Sequence, residues 1–293
     1  MTNSQTRQIN LYERICVRAP YFALQNLQHT APGEATAAVP IELPPTRETS
    51  PISLAEKGRH LAILGLCAAA SVAPNDQRRY YLARTASIRC TYPRTVLPSE
   101  RLTAHAKGAF VSPREAAATT TLAAEDGAQI AKADFTYTVV GEPVFARAFA
   151  YAHRLDVVPT SRGFNPYSRE LPLTDIGGTA QDIRASLTPT VADCAGHFEA
   201  YPTLPVAVLG GCMVNLASHV VDTMTGEPNT RWVPHRVDVD AQRLVAAGKT
   251  VYLSGRSVAV RDGVHEVEVQ ASSDGAQVAH LTVWAEPVNK HGV

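Results

Sequence analysis

The sequence predicts an α+β fold built from two tandem repeats, each a long antiparallel sheet wrapped around one buried helix. Three observations predict it. The segment Asp126-Gly-Ala-Gln-Ile-Ala131 returns as Asp274-Gly-Ala-Gln-Val-Ala279. Both copies lie between strand-like runs, and Asp-Gly in that setting signals a hairpin because glycine accepts the positive φ that the turn needs. Upstream of each hairpin sits one apolar, helix-like segment that opens with proline, a residue the first helical turn tolerates.

Taken in order, the first helix is expected from Pro51 to Ala70, where Leu54, Leu61, Leu64 and Leu66 leave little polar surface. The second, Pro205 to Val221, is apolar nearly all round. Helices of that kind are buried. Gly58, Gly65, Ala68, Gly210, Gly211 and Ala217 let a neighbour approach closely. After the first helix come strand runs at 79–93 and 102–111, then the hairpin arms 114–125 and 131–140. After the second come runs at 231–245 and 249–260, with hairpin arms 263–273 and 279–286. The chain therefore divides into an N-terminal extension, 1–19, a first repeat, 20–148, and a second repeat, 149–293. The join is soft, around Ala148 to Thr160. Pro159 to Gly178 reads as a loop or an insertion.

Composition narrows the function classes. Of 293 residues, 45% are hydrophobic and 18% charged, which excludes a disordered chain. Lysine plus arginine equals aspartate plus glutamate at 27 each, so no nucleic-acid footprint is expected. No apolar run reaches the roughly 18 residues of a membrane span; the longest candidate is Leu61 to Ala70. The first residues carry no apolar stretch after their charges, so no signal peptide, no membrane and a cytoplasmic location are expected. Cys16, Cys67, Cys90, Cys194 and Cys212 are scattered without a CxxC. That pattern predicts reduced thiols, with Cys67 and Cys212 as small core residues. There is no phosphate loop, no GxSxG and no His/Cys metal spacing, so neither cofactor nor metal is expected.

The stretch richest in chemistry is Gly196-His197-Phe198-Glu199-Ala200-Tyr201-Pro202-Thr203-Leu204-Pro205, which runs straight into the second helix. It resembles the active-site signature of the 3-hydroxyacyl-ACP dehydratase branch of the hot-dog superfamily, Gly-His-Phe-Pro-Gly-x-Pro-x-x-Pro-Gly. Gly196, His197, Phe198, Pro202 and Pro205 match in place; Glu199, Ala200 and Val206 replace the first proline and the two glycines. The resemblance implies a double hot-dog fold and a divided site, with a histidine on the loop of one unit and an acid on the helix of its partner. The family's acid falls fourteen residues after the histidine, at Gly211 here. With Pro51 laid over Pro205, the first repeat has Leu43 in the histidine position and Lys57 in the acid position, with Glu56 one residue earlier. A shift of one residue is within the uncertainty of a helix start. The expected catalytic pair is His197 with Glu56.

The chemistry of the residues is compatible with that pairing. Dehydration of a 3-hydroxyacyl thioester needs a base at the α-carbon, which imidazole suits, and an acid for the leaving hydroxyl, which a buried carboxyl suits. The helix after Pro205 would aim the N–H groups of Val206 and Ala207 at the thioester oxygen. Phe198, Pro205, Val206, Ala207, Arg59 and His60 are the expected substrate contacts. Blander readings exist for each: His197 as a structural loop residue, Glu56 as a first-turn acid favoured by the helix dipole, and Arg59 with His60 as an internal polar network. Hydrolysis of the thioester, with Glu56 activating water, is the alternative activity. Acyl transfer or decarboxylation, in which Tyr201 could take part, follows, as does a non-catalytic carrier-binding scaffold. The expected partner is an acyl carrier protein or CoA thioester. The run Arg78 to Arg84 could dock it, though such runs are usually solvated. A monomer and a homodimer are both compatible with the sequence.

Overall fold

The computed structural model describes residues 11–91, 101–154 and 165–288. A short helix α1 (Leu11–Ile15) precedes the hairpin β1 (Gln25–Ala31) and β2 (Glu34–Val39), and then the long helix α2 (Leu54–Ser71). Four strands follow: β3 (Arg79–Cys90), β4 (Leu102–Ser112), β5 (Glu115–Ala123) and β6 (Gln129–Gly141). After the bridging helix α3 (Glu142–Ala148) the series restarts with β7 (Thr174–Thr179) and β8 (Asp182–Leu187). The two-residue strand β9 (Thr203–Leu204) leads into α4 (Val206–Thr225). The chain closes with β10 (Trp232–Ala241), the short β11 (Val245–Ala246), β12 (Val251–Arg261), β13 (Val264–Ser273) and β14 (Ala276–Pro287).

Twelve strands form one antiparallel sheet in the order β1-β2-β4-β5-β6-β3-β10-β14-β13-β12-β8-β7. Read from either end, each half lays out its strands in the same sequence. The halves meet where β3 pairs antiparallel with β10, with Ser87 opposite Asp238. Strand β12 shows why such runs pair: residues 251–258 alternate strictly between buried and exposed, the period-two pattern of a sheet with one covered face. The β13–β14 turn uses Asp274 and Gly275 at φ 50° and 74°, as a tight hairpin demands.

The expected loop over Pro159 to Gly178 needs correction. Residues 159–164 lie outside the described residues, but Thr174–Thr179 is strand β7 at the sheet edge. Every residue of β7 is exposed, so no alternation of apolar and polar positions marks it. The β1–β2 hairpin is a second element that sequence reading missed, although β2 alternates between half-buried and buried positions. Residues 1–10 of the extension lie outside the described residues; residues 11–19 form α1 and a turn.

Helix α2 packs against β2, β4 and β5, α4 packs against β12, β13 and β14, and the two helices touch each other. At that contact a Cβ on Gly211 would come within 2.9 Å of the Ala55 Cβ, so only glycine lets α4 approach so closely. By length and composition α4 alone, among the described residues, could cross a bilayer, contrary to the expectation that no segment reaches that length. Its apolar faces are instead covered by the sheet and by α2.

Helix α2 begins at Leu54, three residues after Pro51. Ser53 caps it, the side chain accepting the Glu56 N–H. The counterpart of Pro205, which precedes α4 at Val206, is therefore Ser53 and not Pro51. This corrects the register by two residues: the opposite number of Gly211 is Arg59, not Lys57.

Candidate functional site

The loop before α4 is held in an unusual backbone conformation on both sides of His197. Gly196 has φ +77°, and a Cβ there would lie 2.3 Å from the Arg18 carbonyl oxygen. Phe198 has φ +56°, which an L-residue adopts only under constraint. The constraint comes from the N-terminal segment: Val17 bridges to His197, and the Arg18 N–H donates to the Gly196 oxygen at 2.9 Å. The pairing of β9 with β11 steadies the far end of the loop.

His197 is buried. Its Nδ1 lies 3.0 Å from the Thr203 carbonyl oxygen, and a carbonyl can only accept, so Nδ1 carries the proton. The edge of the Tyr21 ring packs against it at 5.0 Å. Burial lowers the imidazole to about 4, opposed by the Thr203 hydrogen bond. At neutral pH the ring is uncharged with Nε2 bare.

His197 borders an apolar cavity together with Val206 and Ala207 of α4, Ala55 and Gly58 of α2, and Tyr21. Among the described residues no carboxylate borders it. Pro205 offers no capping side chain to α4, and the first N–H groups of a helix have no acceptor of their own. Val206 and Ala207 therefore bring donors to the cavity. Phe198 does not border it; its ring is packed edge-on against Tyr80 at 5.1 Å and Phe145 at 5.2 Å. Pro205 is buried as the residue that precedes α4.

Glu56 faces a second cavity, between the start of α2 and residues 166–171. Its carboxylate accepts the N–H groups of Glu42 at 2.5 Å and Leu43 at 3.1 Å. Arg59 Nη2 lies 3.6 Å and His60 Nε2 3.5 Å from it. Arg59 borders this same cavity, whereas His60 borders neither. Ala55, Ala207 and Val214 border both cavities, so the two adjoin. Lys57, the other candidate for the acid position, is fully buried and donates from Nζ to Ser50 Oγ at 2.8 Å. Glu42, Glu56 and His60 present ligand atoms within 4.8 Å of one another. The Arg59 guanidinium, ion-paired with Glu42 and 3.1 Å from His60 Nε2, already supplies the positive charge a metal would bring.

Three residues that sequence reading missed matter here. Tyr21 and Thr203 position His197, and no local pattern marks a residue that acts by tertiary contact. Glu48 borders the second cavity and accepts the Leu54 N–H at 2.7 Å, closing the start of α2. Burial raises its carboxyl to about 7, against the pull of Lys57 and of that hydrogen bond. The signal available was an acid shortly ahead of a helix start.

No protein-family model and no curated protein matches the chain. Solved structures do. A tesB protein of Mycobacterium avium subsp. paratuberculosis aligns with TM-score 0.59 and 9% identity over 90% of this chain and 96% of that one. An acyl-ACP thioesterase of Bacteroides thetaiotaomicron aligns with TM-score 0.55 and 14% identity, covering 87% and 98%. A conserved hot-dog-fold protein of unknown function from Alicyclobacillus acidocaldarius aligns with TM-score 0.55 and 11% identity, covering 90% and 96%. At these identities the likeness speaks for architecture and not for activity. With its antiparallel sheet and buried helices, the chain has the hot-dog fold.

Proposed function

We propose that the protein cleaves an acyl thioester by adding water, and that the chain is a double hot dog whose two units share one working site at the start of α4. The observation that carries this reading is the apolar cavity bordered by His197 and the first turn of α4, with no carboxylate on its described walls. A dehydratase needs an acid beside its base, whereas hydrolysis needs a base for water and donors for the oxyanion. His197 Nε2 takes a proton from water as the water oxygen attacks the thioester carbon. The N–H groups of Val206 and Ala207 receive the developing negative oxygen. When the tetrahedral intermediate collapses, the carbon–sulfur bond breaks and the thiolate takes the proton back from His197. Tyr21 and Thr203 hold the ring in place. The start of α2 is less open to an oxyanion, because Glu48 and Ser53 already accept the Leu54 and Glu56 N–H groups. Glu56 ties down residues 42–43 in this scheme and delivers no proton. Among the solved structures similar to this chain are ones named as an acyl-ACP thioesterase and a 12:0-ACP thioesterase.

Dehydration of a 3-hydroxyacyl thioester is the second reading, favoured by the Gly196-His197-Phe198…Pro202…Pro205 pattern. Incubation with saturated and 3-hydroxyacyl thioesters, on CoA and on an acyl carrier protein, separates the two by mass. Free acid from both substrate types supports hydrolysis. Loss of water from the 3-hydroxy substrate alone establishes dehydration and overturns it. Substrates recovered unchanged favour a carrier-binding scaffold.

A further inference from the structure

Arg59 leaves two donor nitrogens over. It is 3% exposed, its Nη2 is engaged with Glu42 and His60, and Nε and Nη1 have no partner. Among the described residues it is the only one with two such buried atoms. A buried donor without an acceptor is among the costlier defects a fold can carry. The guanidinium is not loose: it lies over the Tyr167 ring at 5.1 Å, and both residues border the cavity at the start of α2.

The charges around the cavity define what the spare donors can take. Glu42 and Glu56 already balance the guanidinium, so it needs oxygen acceptors and not a further negative charge. Arg47 and Arg169 on the same walls are matched by Asp222 and Asp193, and Glu170 adds a negative charge, so the space disfavours an anion. Leu43, Pro45, Leu171 and Val208 add apolar wall that suits carbon. An uncharged oxygen on an alkyl chain satisfies both demands.

We propose that this cavity is a second binding site and that it takes the distal part of an oxygenated acyl chain, a ketone or hydroxyl oxygen accepting from Arg59 Nε or Nη1. The inference rests on the acyl-thioester reading and extends it to the class of chain. Ala55, Ala207 and Val214 border both cavities, so a chain held by its thioester at the start of α4 reaches Arg59 past these side chains. The protein would then select for chains with oxygen part-way along them.

The test uses pantetheine amides, in which nitrogen replaces the thioester sulfur and resists hydrolysis. Titration calorimetry on the full chain compares a decanoyl amide with analogues carrying a ketone at carbon 5, 7 or 9. One ketone analogue should bind about tenfold or more tightly than the plain chain. Arg59→Lys keeps a cation for Glu42 and Glu56 but withdraws the spare donors, and it should abolish that preference. Val208→Phe fills the cavity from α4, leaves the ion pairs alone, and should abolish it too. Equal binding of plain and ketone chains, or a preference that survives Arg59→Lys, overturns the inference while leaving the thioester reading intact. Failure of every analogue to bind removes both.

Discussion

Thr203 places its carbonyl oxygen 3.0 Å from Nδ1 of His197, and that bond selects the tautomer of the ring. With the proton on Nδ1, the bare nitrogen is Nε2, the atom that can act as a base. The bond is backbone-made, so it survives any substitution at Thr203 that keeps β9 paired with β11.

Replacing His197 with Gln should lower kcat for thioester cleavage by roughly 10²–10⁴, the usual cost of losing a general base. KM should change little, because the apolar walls remain. Steady-state kinetics checks this; a variant within tenfold of wild type removes His197 from the mechanism.

The same residue makes stability depend on acidity. Folded, the ring stays uncharged down to about 4; unfolded, it protonates near 6.5. Between those values the unfolded chain binds more protons, so this contribution is fully present above pH 6.5 and is lost as pH falls towards 4. Melting temperatures of His197→Gln should therefore decline less than those of wild type across that window. Parallel curves would mean that the buried ring is not desolvated.

Glu48 acts in the opposite sense. Its carboxyl is raised to about 7 when folded and lies near 4.5 when unfolded, so the folded chain binds more protons in between. The contribution is present below pH 4.5 and is lost as pH rises through 7. Glu48→Gln keeps an oxygen for the Leu54 N–H and never ionises. At pH 8–9 it should be more stable than wild type by about 1–3 kcal/mol, with the gap closing by pH 5. Urea titrations at the two pH values decide it.

Glu56→Ala removes the acceptor of two backbone N–H groups and one counter-charge of Arg59. Each buried donor left without a partner costs about 1–3 kcal/mol, so the unfolding midpoint in urea should fall markedly. Glu56→Gln, which can still accept, should lose less. If both variants unfold like wild type and catalysis alone collapses, Glu56 is the acid of a dehydratase after all.

Much of the architecture was legible from local pattern. Strict alternation in β12, the repeated Asp-Gly turns and two apolar segments that open near proline describe most strands and both long helices, because burial of one face imposes a period on the sequence. Strand β7 escaped for the converse reason: an exposed edge strand has no face to hide. His197 stood out through the likeness of Gly196-His197-Phe198…Pro202…Pro205 to a family signature, a pattern of near neighbours that can be read without the fold.

What only the tertiary structure decided is where side chains from distant segments converge. Ser53 rather than Pro51 marks the start of α2, since a hydroxyl that accepts a helical N–H sets the first turn. That two-residue difference moves Arg59 into line with Gly211. Glu56 and His197 border different cavities because the Glu56 carboxylate finds the free N–H groups of residues 42–43, a contact that no spacing encodes. The sequence by itself determined the two long helices, most of the strands and the loop that bears the histidine, all of them products of near-neighbour sterics and periodic burial. Which carboxylates are tied down, which guanidinium is left with spare donors and which wall His197 faces depend on long-range packing, where the energy of a polar group is set by whatever the fold brings beside it.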